Sequence, residues 1–365
     1  MTLSADLSLA ALFEPLSFAR GPAMKNRFLL SPMTNQQSHA DGRLSDEEFT
    51  WLTKRATGGF GLVMTAASHV QSVGQGFPGQ IGIFGDEHLE GLTRLAAGIR
   101  AQGALSAVQL HHAGNRAPGE LVGTPVCPSD DIATGARGLS QSEVEQLRDD
   151  FIMGARRAEK AGFDGVEVHG AHGYIVAEFL SATVNHRDDR YGGSLENRAR
   201  LLFEIIDGIR AECRADFQIG LRLSPERYSQ NLGEIRDVSA ELFRQGQIDY
   251  LDLSLWDVIK EPEDPVFKGT TLISHFTDLP RGNVRLGAAG KVMSARTALQ
   301  VIEAGCDFVA IGRAAILRHN FPELVRRDPT YDSPSLPVAV GHLLDEGLSD
   351  RFVAYLRSWP DFVAD

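Results

Sequence analysis

The chain has 365 residues, 43% of them hydrophobic and 23% charged, with 36 basic against 48 acidic side chains and a formal charge of −12. That is enough apolar material for a sizeable core, and α/β barrels commonly run past ~250 residues as one unit. An acidic balance without any basic run argues against a surface for nucleic acid or anionic membrane.

Cys127, Cys213 and Cys306 are widely separated and odd in number. They suggest neither a disulfide framework nor a metal or iron–sulfur cluster, whose ligands come at short spacings. The opening MTLSADLSLAALFEPL has no basic leader and is interrupted by Asp6 and Glu14, which makes a poor secretory signal. No stretch reaches the ~18 apolar residues of a membrane helix. A cytoplasmic protein is expected.

In chain order, eight short apolar runs read as strands: Phe28–Met33, Gly61–Ala67, Leu105–Leu110, Gly165–Gly170, Gln218–Ser224, Tyr250–Leu255, Val284–Gly290 and Phe308–Arg313. Runs without strict alternation suit strands covered on both faces, as in parallel sheets. Helical periodicity fills the intervals, most clearly over Glu87–Gln102, Gln141–Ala161, Glu196–Ala215, Val238–Gln245 and Ala295–Ala304. Ser194 and Asn197 supply capping chemistry at the start of the third of these.

Strand–helix alternation repeated eight times predicts a closed (β/α)8 TIM barrel over residues 1–327. An open doubly wound sheet would usually carry a glycine-rich fingerprint after its first strand. Here that position reads Ser31-Pro32-Met33-Thr34. Residues 328–337 read as a linker, and the remaining tail, to 365, as one or two helices packed on the barrel. The tail suits a subunit contact, in a homodimer or homotetramer, and a simple cap equally well.

Polar residues at the carboxyl ends of barrel strands are where this fold places its chemistry. Strand four ends in the densest group, with His169, His172 and Tyr174 followed by a long loop. Gly287-Ala288-Ala289-Gly290 closes strand seven and Gly312-Arg313 closes strand eight, where barrels frequently bind phosphate on backbone amides and an arginine. Alone, a Gly-Arg pair is also a tight turn with a surface arginine. Gln109 and Arg222 lie inside apolar strands and must be paired, by a ligand or by a structural salt bridge. His169 and His172 could ligate zinc, but no third ligand stands at a suitable spacing, and His111-His112 has no partner pattern. No metal is expected.

The wording is more specific than the pattern. HGAHGY followed by NHRDDRYGGSLENR, with SPMT after strand one, VQLHHAGN in strand three and GLRLSPERY in strand five, resembles the old yellow enzyme family of FMN-dependent ene-reductases. The resemblance runs from Phe28 to Phe321. It implies bound FMN, with Ser31, Pro32, Met33, Thr34 and Ala67 against the flavin and Gln109 and Arg222 on its pyrimidine half. Gly290, Gly312 and Arg313 would lie at the phosphate.

By the same resemblance, His169 and His172 hold the carbonyl oxygen of an α,β-unsaturated substrate. Hydride from NADPH or NADH arrives through flavin N5 in a ping-pong cycle, and Tyr174 is the proton donor. The histidine pair is like that of the bacterial YqjM-type branch, whereas Thr34 is like the branch that includes the yeast enzymes. Gln36 stands where YqjM-type members place a tyrosine and is expected at the substrate. Gly114-Asn115-Arg116 displaces a usual Gly-Arg by one residue. Other readings are a demethylase-like dehydrogenase on the same scaffold, and a non-flavin barrel lyase or aldolase on a phosphorylated substrate; such enzymes commonly need a Schiff-base lysine or a metal, and Lys291, beside the strand-seven glycines, suits phosphate binding equally well.

Overall fold

A computed structural model describes residues 8–364. Of the N-terminal segment discussed above, residues 1–7 lie outside the described residues, as does Asp365. The expected barrel is present. Its strands are β1 (Phe28–Leu30), β2 (Leu62–His69), β3 (Leu105–His111), β4 (Gly165–Gly170), β5 (Gln218–Leu223), β6 (Tyr250–Ser254), β7 (Arg285–Ala289) and β8 (Phe308–Ile311). They pair in parallel in the order 1-8-7-6-5-4-3-2 and close on themselves. A doubly wound sheet is thereby excluded.

Alternation along each strand explains the packing. Val166 and Val168 of β4, Leu221 and Leu223 of β5, and Leu251 and Leu253 of β6 are fully buried in the large core shared with the helices. The residues between them face the barrel axis. At the amino ends of the strands the axis is filled by Leu29, Leu62, Met64, Ala107, Tyr250 and Phe308, against which Leu16 and Met24 of the lead-in pack. At the carboxyl ends the axial positions become polar or very small, and the site begins there.

The helices start and stop where local chemistry directs. Ser140 and Glu143 form a reciprocal capping box at the start of Gln141–Ala161, and Gly162, at φ +92°, ends it. Ser194 caps Leu195–Glu212 by accepting from the Asn197 amide. The helix Asp46–Thr57, capped by Ser45, and a two-stranded ribbon pairing Val126–Cys127 with Arg137–Gly138 were not expected from the sequence.

The tail forms two short helices, Val340–Asp345 and Asp350–Leu356. Buried Arg55 fixes the first to the barrel by donating to the carbonyls of Ala315 and Glu346. Trp51 meets Phe352 edge-on, with ring centroids 5.5 Å apart. Among the described residues no helix is long and apolar enough to cross a membrane. Cys127, Cys213 and Cys306 are free thiols.

Candidate active site

Deepest on the axis is a charged cluster. Gln109 and Glu167 are register partners on β3 and β4, and the Gln109 amide donates to Glu167 Oε1 at 2.8 Å. Arg222 and Asp252 are partners on β5 and β6, with Arg222 Nε 3.1 Å from Asp252 Oδ2. Glu167 Oε2, both Asp252 oxygens and the Tyr250 hydroxyl are buried without a hydrogen-bond partner. One guanidinium cannot fully compensate two carboxylates in a dry interior. Burial raises the pKa of both Glu167 and Asp252, with the Asp252 charge adding to the effect on Glu167.

Above this cluster sit His169, at the end of β4, and His172 and Tyr174, which follow it. Their aromatic rings interlock edge to face, with centroids 5.1 Å apart for His169 and His172 and 5.0 Å for His169 and Tyr174. His111, on the axis side of β3, packs on Tyr174 at 4.5 Å. Burial is the first cause that depresses both imidazoles, and His172 falls to about 3, so the rings are neutral near pH 7. His172 has a left-handed backbone, φ +59°, held by its amide on Ser224 Oγ (3.1 Å) and its carbonyl on Arg116. Its Nε2 lies 2.7 Å from Ser254 Oγ. Burial raises the Tyr174 pKa, and the nearby Arg116 charge opposes that shift.

Arg116 stands on a turn that Asn115 anchors. A turn over Gly114–Arg116 is held by the Asn115 amide on Glu178 (2.8 Å) and by the Asn115 side chain on Asp131 (3.0 Å). The Arg116 guanidinium then lies over Tyr174 at 5.1 Å and over Tyr228 at 5.8 Å. Tyr228 stands on a loop in which Arg227, Tyr228 and Ser229 all have positive φ, a run that only surrounding contacts can enforce.

Opposite this polar wall the strand ends are nearly bare. Ala289, Gly290, Ala310 and Gly312 line the same cavity, of about 730 Å³, with Ser31, Pro32, Met33, Thr34 and Arg313 around them. Gly290 is required where it stands: a Cβ would come within 2.7 Å of the Asp257 amide nitrogen. At Gly312 a Cβ would meet nothing nearer than Met33 Sδ at 3.7 Å, so that space belongs to the cavity. Ser31 Oγ is buried and unpartnered. Roomy glycine ends beside an arginine, an orphan hydroxyl, and a second arginine (Arg222) across the cavity suit a flat cofactor with an anionic end. FMN fits these residues.

Of the residues singled out from sequence, Ser31, Pro32, Met33, Thr34, His172, Tyr174, Arg222, Gly290, Gly312 and Arg313 line this cavity. His169 lies just behind, touching His172 and Tyr174. Gln109 and Ala67 are not on the wall. Gln109 is 1% exposed and bonded to Glu167, while the Ala67 carbonyl accepts from Gln80 Nε2 at 2.7 Å. Gln36 departs from expectation: it is absent from the wall, and its left-handed backbone, φ +56°, turns its carbonyl toward Arg351 in the tail, 3.5 Å away. Lys291 does line the cavity and is ion-paired to Asp257 at 3.2 Å.

Several wall residues were not anticipated. Ser254 ends β6 and Trp256 follows it, Tyr228 follows β5, and the C-terminal segment contributes Leu336, Tyr355, Trp359, Pro360 and Phe362. Alternation in YLDLSL marks Asp252 and Ser254 as axial, as it marks Glu167 in GVEVHG. Nothing local marks the tail aromatics. Among the described residues no group of three or more His, Cys, Asp or Glu converges as a metal site.

A closed parallel barrel whose strand ends meet at one cavity, polar on one side and bare on the other, is a cofactor-binding (β/α)8 enzyme. The profile of the NADH:flavin oxidoreductase / NADH oxidase family matches residues 11–329. The chain belongs to that family, the old yellow enzymes, and is an oxidoreductase that uses FMN with NADH or NADPH.

The "Probable NADH-dependent flavin oxidoreductase YqiG" of Bacillus subtilis (strain 168) is 37% identical over 326 residues, covering 86% of this chain and 87% of that protein. An NADPH dehydrogenase of Halalkalibacterium halodurans is 35% identical over 83% of this chain and 90% of its own length. The structure of the old yellow enzyme homologue from Zymomonas mobilis superposes with a TM-score of 0.80 at 26% identity, covering 93% of this chain and 99% of that one. Family membership sets aside the lyase and aldolase reading.

Proposed function

We propose that this oxidoreductase reduces activated C=C bonds of α,β-unsaturated carbonyl compounds. The observation that carries the reading is the convergence of the neutral His172 imidazole and the Tyr174 phenol on one wall of a cavity, with the neutral His169 ring packed directly behind them and the other wall bare. Bound FMN supplies hydride transfer, taking hydride from NADH or NADPH and passing it to the substrate β-carbon. Ser31, Pro32, Met33 and Thr34 would lie along the flavin, Arg222 at its pyrimidine half, and Gly290, Gly312 and Arg313 at its phosphate.

His169 and His172 would hold the carbonyl oxygen, drawing electrons away from the β-carbon and stabilising charge that develops on that oxygen. Neutral rings suit this role, because they donate hydrogen bonds without having to lose a proton. Tyr174 would protonate the α-carbon. Arg116, over the phenol face, favours the phenolate left behind and so makes Tyr174 a better acid.

The test is an anaerobic visible spectrum of the purified protein, reduced with NADPH and then mixed with 2-cyclohexenone. Flavin absorbance that bleaches and then returns with the enone is the expected result. Bleaching without recovery would overturn the substrate class and leave the flavin chemistry intact.

A further inference from the structure

The histidine pair is wired in one donor order. The Ala171 amide donates to His169 Nδ1 at 3.2 Å, so the neutral ring carries its proton on Nε2. His169 Nε2 lies 3.3 Å from His172 Nδ1 and must be the donor there. His172 Nδ1 therefore accepts, and the His172 proton sits on Nε2, donated to Ser254 Oγ at 2.7 Å.

Resting in that order, His172 has no N–H left to offer a ligand oxygen beside His169. The Ser224 hydroxyl and Arg116 hold its backbone on either side, and His169 and Ser254 hold the two ring nitrogens. Proton placement is the variable that remains. Ser254 stands on the cavity wall, and a hydroxyl is the neutral side chain that can both accept and donate at one atom. A carboxylate there would lock the proton on Nε2, and an ammonium would lock it on Nδ1.

We propose that Ser254 is a positioning residue that sets the His172 tautomer. It accepts from Nε2–H in the resting site and donates to Nε2 when a carbonyl oxygen enters, so that Nδ1–H and His169 Nε2–H face that oxygen together. Protons balance: His172 gives its Nε2 proton to cavity water and takes one at Nδ1 from water, while the serine rotates its own proton onto Nε2. The assignment rests on the proposed role of the histidine pair at a substrate oxygen.

Flavin-loaded wild type, Ser254→Ala and Ser254→Thr, labelled with ¹⁵N-histidine, would be compared by NMR with and without p-hydroxybenzaldehyde, a probe with an oxygen acceptor. Kinetics with 2-cyclohexenone would accompany the spectra. In wild type, His172 is expected as Nε2–H alone and as Nδ1–H with the probe. Ser254→Ala should mix the two forms at rest and lower kcat/KM about tenfold with flavin content unchanged. Ser254→Thr should restore both readings.

An unchanged His172 tautomer on probe binding in wild type would overturn the proposal. So would a Ser254→Ala variant indistinguishable from wild type, or a threonine variant that fails alongside the alanine one. If wild type shows the switch with the probe but does not turn over 2-cyclohexenone, the enone reading fails and the Ser254 assignment stands.

Discussion

From β3 to β6 the inward positions near the strand ends carry Gln109, His111, Glu167, His169, Arg222, Asp252 and Ser254, whereas on β7 and β8 they carry Gly287, Ala289 and Ala310, with Gly312 just past the end of β8. Both halves come from the same strand geometry and frame one cavity. On the titratable half, side chains do the work, and burial pushes imidazoles down and carboxyls up, in each case favouring the neutral form. On the bare half, the absence of side chains does the work by opening room beside backbone and Arg313. Substitution should therefore damage chemistry on one half and cofactor retention on the other.

The largest effect belongs to the titratable half. Tyr174→Phe should retain flavin and oxidation of NADPH, while turnover of 2-cyclohexenone falls by roughly 10²–10⁴, the usual contribution of a positioned acid. Stopped-flow measurement of the enone half-reaction checks this. Unchanged enone turnover would remove Tyr174 from the proton-donor role.

Acid sensitivity comes next and also belongs to that half. His69, His112 and His172 are held at about 4, about 3 and about 3 chiefly by burial, which also holds His111 and His169 well below the ordinary imidazole range. Each folded pKa is below the unfolded value of about 6.5, so the unfolded chain binds protons first and stability falls as pH drops below that value. The loss approaches about 1.4 kcal/mol per pH unit for each histidine. Glu167 works the other way, together with Glu48, Glu178 and Asp252: a raised carboxyl pKa contributes stability that is complete below the unfolded value of about 4 and is lost as pH rises. Urea unfolding at pH 7 and pH 5.5 should show a lower midpoint at the acid pH, and Glu167→Gln should steepen that decline. Equal midpoints at the two values would contradict it.

On the bare half, two glycines separate backbone constraint from cavity space. Gly290→Ala drives a methyl against the Trp256–Asp257 backbone and should cost ~1–3 kcal/mol of stability together with flavin. Gly312→Ala has room and should fold normally, so flavin loss there would report occupation of the cavity. Flavin per chain and Tm, measured on both variants, distinguish the cases. Normal flavin in both would place the cofactor elsewhere.

The barrel was legible in sequence because buried parallel strands read as short apolar runs, and all eight predicted runs coincide with strands to within a few residues. The site was legible where a motif fixed both residue and position, as at His172, Tyr174 and Arg313. It was missed at Ser254, although the alternation that exposes it was present in YLDLSL. The helix Asp46–Thr57 also announced itself, with Ser45 before Asp46, Glu47 and Glu48. Gln36 lies off the cavity wall, a placement hidden from sequence because residue type does not encode a positive φ. Tyr228 is hidden for the same reason. The tail aromatics reach the cavity through tertiary packing alone.

The tail also offers the smallest test of the comparison. Trp359 lies on the bare half, where Arg313 sits 5.9 Å from its ring, and it packs edge-on against Phe362 at 5.2 Å. An arginine meant for an anion gains from an aromatic face, which orients the guanidinium without neutralising it. Such a contact is worth about 0.5–1 kcal/mol at a partly exposed site. Trp359→Ala should therefore weaken FMN retention by roughly 2–5-fold, with Tm hardly moved and the Tyr174-dependent step unchanged in flavin-loaded protein. Retention measured by dialysis against FMN-free buffer decides it. Loss of enone turnover in the flavin-loaded variant would mean that the tail reaches across to the titratable half, and the division drawn between the two halves would fail at that point.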